Sequence, residues 1–243
     1  MVTAATAPSV ARPVRDDVRE AAWTLGVGFG AGALTGFLVV GPLARLLMLL
    51  LRVTSPAAVK GVTSDDGFTI GRVSLDTLFL VLVCSTIAGA AGVAYVFARF
   101  AVPHRGLRLA LWTAMSAAVG GSAIVRDDGV DFVLLTPTWL AVGGFIALPA
   151  LAGLLIALLI DRLASIPSPR PGEPRPYVLP AAGLLALPAA PIALVGGALM
   201  LALRRLATRP WLVRFVARSM IAIALLLTVL GVVDLVRDVS ALT

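Results

Sequence analysis

Five aspartates, Asp65, Asp66, Asp127, Asp128 and Asp131, with Arg72 and Arg126 beside them, come closer to a chemical site than any other residues of this chain. Carboxylates gathered on one face supply the oxygen ligands that a hard divalent cation takes, or the charges that position a polar headgroup. Their spacing does not match the calcium loop D-x-[DN]-x-[DN]-G, and solvated turns with local salt bridges explain acidic loops more simply, so no metal ligand is assigned. The one histidine, His104, stands between Pro103 and Arg105. It has the chemistry of a general base, but an imidazole at headgroup level suits its surroundings better. The chain has no G-x-S-x-G elbow, no H-E-x-x-H and no P-loop lysine, so neither a catalytic nor a cofactor-binding residue is assigned. Cys84 is the single cysteine and lies within an apolar run, which excludes an intrachain disulfide and a thiolate cluster.

Six long apolar runs have to position these groups. A hydrocarbon layer about 30 Å thick needs roughly 20 apolar residues as a helix. The first run, 21–51, is too long for one upright helix. Gly41 and Pro42 divide it, which leaves 22–40 embedded and 43–51 as a tilted or interfacial continuation. The second, 75–100, and the third, 107–125, read as simple spans. The fourth, 132–160, carries Pro137 near its start and Pro149 in its middle, where a kink is expected. The sequence SIPSPRPGEPRP, 165–176, holds five prolines in 12 residues and reads as an extended linker. The fifth run, 177–203, contains Pro180, Pro188 and Pro191, and the sixth covers 215–236. The runs are continuously apolar without alternation, so the expected fold is an all-α polytopic transmembrane bundle rather than a barrel.

Composition agrees with this reading. Hydrophobic residues make up 59% of the 243 and charged residues 14%, against roughly 25% charged in a soluble domain. The expected partner is the lipid bilayer. The net charge of +7 does not point to nucleic acid, because the arginines stand at the ends of apolar runs, where they anchor spans and set orientation. The apolar run that follows the polar tail 1–20 is about twice as long as a signal-peptide core, so it is read as a retained first span with the tail on the cytoplasmic side of the cell membrane.

Four parts follow: the tail 1–20, a four-span region 21–164, the linker 165–176, and two C-terminal apolar segments within 177–243. Asp-Asp-Gly occurs at 65–67 and again at 127–129, an offset of 62, each time before the second helix of a pair. That placement suggests a tandem helix-pair repeat of the kind found in transporters, although Asp-Gly is also a common turn dipeptide. With six crossings the basic residues divide ten and ten between the two sides. With a re-entrant fifth segment they divide 14 inside and 6 outside. Six crossings is the expectation, because a 27-residue run without charge ordinarily spans, and the re-entrant version is its competitor.

Within the first span, Gly28, Gly32 and Gly36 recur every four residues and make a face suited to close helix packing. Such a face also offers a route to a membrane-protein partner or a homo-oligomer. The segment DDGVDFVLLTPTWLAV resembles segments of uncharacterised multi-pass membrane proteins from GC-rich bacteria. The resemblance covers about the middle half of the chain and implies no activity. Three functional readings follow. The first is a structural, accessory or partner-binding membrane protein. The second is a small transporter with proline-broken helices, and the third a membrane enzyme acting on lipid headgroups at the acidic face.

Overall fold

The computed structural model describes residues 14–59, 61–62, 75–127, 129–165, 178–206 and 210–242. All regular structure among them is helical. Six helical segments are long and apolar enough to cross a membrane by length and composition: Arg15–Thr54, Leu75–Ala101, Arg105–Ile124, Thr138–Leu163, Pro180–Leu203 and Trp211–Leu242. The chain is a helical multi-pass membrane protein.

The first helix, α1 (Val14–Thr35), starts inside the expected polar tail, with Asp16 and Asp17 in its first turn, where the helix dipole favours negative charge. It does not stop at Gly41-Pro42. A π-helical turn, Gly36–Val40, carries it directly into α2 (Gly41–Thr54). Gly41 N–H donates to Gly36 O, five residues back, and the backbone of both Val40 and Gly41 stays helical. The wider π turn makes room for the Pro42 ring, which would otherwise press on the preceding turn and break the helix. The division expected there is therefore a change of helical register.

α3 (Leu75–Ala101) returns antiparallel to α1, and a three-residue connection leads into α4 (Arg105–Ile124). The expected fourth run is two elements, a single turn α5 (Val130–Leu134) and the long α6 (Thr138–Leu163). The break between them at Leu135–Pro137 is held by α2, because Thr136 N–H donates to Ser55 Oγ at 2.8 Å and Thr54 Oγ1 donates to Thr136 O at 2.6 Å. Pro149 lies inside α6, its ring against Gly120 of α4, so a residue without a side chain receives the proline.

The fifth segment comprises α7 (Val178–Ala182), a 3-10 stretch Gly183–Ala189 and α8 (Ala190–Leu206). Its contacts fix its path. Pro180 packs on Gly26, with 3.4 Å from the position of a Gly26 Cβ to Pro180 Cβ, while Gly197 faces Leu25 at 3.8 Å. Leu25 and Gly26 are neighbours, but Pro180 and Gly197 are 17 residues apart and would be about 25 Å apart along a straight helix. Between them, Gly183 meets Phe29 and Ala186 meets Gly89, deeper in the bundle, and Gly196 then lies against Val93 and Phe97. The segment enters to the level of Gly89 and comes back. The reversal falls where Ala186 leaves helical geometry (φ −118°, ψ 29°) and where Pro188 and Pro191 withhold N–H donors.

α9 (Pro210–Leu242) runs parallel to α4, because Gly231 packs on Ala118 and Leu235 on Gly121. It therefore begins at the end of the bundle where α3 stops and α4 starts. Ten arginines of the described residues lie toward that end, in α1, α3, α4, α6, α8 and α9. Four, Arg45, Arg52, Arg126 and Arg237, lie toward the other. One apolar core, including Phe29, Tyr95, Trp112, Ile156 and Leu203, fills the arginine-rich side. A second, with Leu51, Val125, Phe132, Leu135 and Phe145, closes the opposite end.

Candidate functional site

Gly28, Gly32 and Gly36 all face α3. A Cβ on Gly32 would overlap the Ala88 carbonyl oxygen, one on Gly28 would sit 2.5 Å from Val96 Cγ2, and one on Gly36 would be 2.5 Å from Ser85 Cα. From the other side, a Cβ on Gly92 would overlap the Gly28 carbonyl oxygen. The two backbones touch along three turns, and across the seam Ser85 Oγ donates to Ala33 O at 2.8 Å. A polar side chain buried in this way is satisfied by a backbone carbonyl, worth on average about 0.6 kcal/mol in membrane proteins. Among the described residues these three glycines are spent on the contact with α3.

Of the acidic group only Arg126, Asp127 and Asp131 belong to the described residues. Asp65, Asp66, Arg72 and Asp128 lie outside them. Arg126 and Asp127 are exposed in the connection after α4, and Asp131 is in α5. Among the described residues no three metal-ligating side chains converge. His104 caps α4, its Nδ1 accepting from Leu107 N–H at 3.3 Å, and is exposed.

A different constellation is assembled at the arginine-rich end. Asp161, near the end of α6, has a side chain only 5% exposed. Arg108 Nη2 donates to its Oδ2 at 2.9 Å, Arg105 Nε lies 3.5 Å from the same oxygen, and Arg99 Nε lies 3.1 Å from Oδ1. The Arg99 contact is an ion pair without hydrogen-bond alignment, since neither of those atoms has a hydrogen-bond partner. Arg108 is further held by Tyr95, whose hydroxyl oxygen accepts from Nε at 3.0 Å, and by the carbonyls of Val102 and Pro103, which accept from Nη1. Tyr95 in turn packs edge-on against Trp112. One carboxylate thus ties together the end of α3, the start of α4 and the end of α6. Arg108 is immobilised, whereas Arg105 is 64% exposed.

In the sequence Asp161 and Arg162 stand directly after the fourth apolar run, with no partner indicated. The only signal in the sequence was the spacing Tyr95, Arg99, Arg105, Arg108 around a tight connection, and nothing in it pointed to a residue more than 50 positions away. Arg45 is buried, with Nη1 3.9 Å from Met48 Sδ.

Beside this cluster an apolar cleft of about 240 Å³ lies between α3, α4 and α9. Ala98, Val102, Leu111, Met115 and Ala224 line it, and Arg108 forms part of its wall.

The fold and these contacts define the class: a polytopic helical membrane protein with a buried aspartate–arginine clasp. No family model, no curated protein and no solved structure matches the chain.

Proposed function

We propose that this protein is a structural or accessory membrane subunit that works by binding another membrane protein through its last helix. The observation that carries the reading is the exposure of α9. Gly231 is its only buried residue among the described ones, and Leu226, Val229 and Val233 are exposed to 57%, 58% and 57% on the side away from α4. The interior supports the same reading. Asp161, Arg108 and Ser85 are each bonded within the chain, and the tip of the fifth segment, Ala186 and Ala189, is buried among apolar side chains. The arginine count at the two ends favours a cytoplasmic N-terminus and a cytoplasmic mouth for the fold-back segment.

Photo-crosslinkers at Leu226, Val229 and Val233, compared with Ala224 and Leu235 on the α4 side, test the assignment in native membranes. One defined protein adduct, formed from the outer positions and absent from the inner ones, is expected. Adducts to lipid alone at every position overturn it.

A second reading, a small transporter, draws on the fold-back segment. Discontinuous helices that meet inside a bundle are a recurrent feature of transport proteins. Cysteines introduced at Ala182 and Pro188 in a Cys84→Ser background test it. Water-soluble reagents reaching both positions favour transport, and protection of both favours the accessory role.

A further inference from the structure

We propose that the cleft between α3, α4 and α9 is a binding site for an anionic phospholipid of the surrounding bilayer, with the acyl chain in the cleft and the headgroup at Arg105. This inference is independent of the partner-binding reading. Three guanidinium groups against one carboxylate leave the clasp with two positive charges. That excess stands beside an apolar slot, because Arg108 belongs both to the clasp and to the slot wall, and Arg105 shares its carboxylate oxygen.

Arg108 has its donors committed to Asp161, Tyr95, Val102 and Pro103, so it supplies field and shape. Arg105, weakly attached at 3.5 Å and largely exposed, is the group free to turn toward a phosphate. On the other wall Arg218 is exposed two residues before Met220, which also lines the slot. A slot of this shape takes a hydrocarbon chain, and a clasp with two uncompensated charges beside it selects a negatively charged headgroup over a zwitterionic one. Basic pockets between helices at a cytoplasmic membrane face recognise anionic lipid on the same principle.

The experiment uses the full chain purified in a zwitterionic detergent. Thermal unfolding and native mass spectrometry are recorded with added phosphatidylglycerol, phosphatidylcholine or inorganic phosphate. Phosphatidylglycerol should raise the unfolding temperature by several degrees and remain bound as one resolved adduct, while the other two do neither. Arg105→Gln, a surface change, should reduce the adduct severalfold. Ala224→Phe, which fills the slot from the α9 side, should remove it. Equal effects of the two lipids overturn the charge selection, and reproduction of the shift by phosphate alone makes the site one for a free anion. An adduct that survives both substitutions overturns the site itself.

Discussion

The α1–α3 seam and the α4–α9 seam are both built on glycine, yet they pack to very different closeness. Along α1–α3, glycines on both helices alternate, so carbonyl oxygens sit where side chains would be for three turns. Along α4–α9 a single close approach is made, at Gly231, where a Cβ would lie 2.8 Å from the Ala118 carbonyl group, and on the arginine-rich side of it the helices diverge around the cleft. Lipid gives helices no hydrophobic reason to associate, so the closeness of the backbones governs how firmly a helix is held. The first seam makes α1 and α3 a single unit. The second holds α9 closely only near Gly231; toward the arginine-rich end Val216 and Met220 still pack on the core, but a cleft separates α9 from α3 and α4, which is the geometry a lipid chain requires.

The largest expected effect comes from the clasp that fixes the helices against which α9 rests. Asp161→Asn leaves Arg99 and Arg108 partly buried without a counter-charge, and breaking a buried pair costs about 3 to 5 kcal/mol. Thermal unfolding of the purified protein should fall steeply, and if Asp161→Asn unfolds like the parent, the clasp is not holding α3, α4 and α6.

Gly32→Ala should follow, at about 1 to 3 kcal/mol, the range for overpacking, because the methyl group meets the backbone of Ala88 rather than a movable side chain. Gly231→Ala, read by the same unfolding measurement, should cost less than Gly32→Ala, since α9 can shift outward with nothing described behind it. Equal costs would erase the distinction between the seams. The smallest effect is expected for Ser85→Ala, about 0.6 kcal/mol, from the single hydrogen bond to Ala33. A loss of several kcal/mol there would show that this bond, not glycine packing, holds the seam.

Topology is tested by single cysteines in a Cys84→Ser background. Ser165 and Arg214 should be labelled from one side of the membrane and Ala123 and Ser240 from the other. Labelling of Arg214 together with Ala123 would mean that the fifth segment crosses.

The six apolar runs, the helical fold and the glycine face of α1 were legible because length, hydropathy and four-residue spacing are local properties. The three prolines of 177–203 marked a broken segment, but the direction in which it continued depended on what Ala186 and Gly196 pack against. Pro42 looked like a helix end, since sequence does not reveal that a π turn can absorb its ring. Asp161, directly after the fourth apolar run, carries no sign of its partners in the sequence for a similar reason. Its three arginines stand 53 to 62 positions away, and only antiparallel packing of α3, α4 and α6 brings them to it.

By itself, then, the sequence determined the solvent of this protein and the elements that can exist in it, because burying unpaired backbone in hydrocarbon is too costly to leave a choice other than helices. Tertiary structure alone decided the fold-back of the fifth segment, the charge clasp and the cleft beside it. Each of these depends on which helix faces meet, and that is set by contacts between residues far apart in the chain.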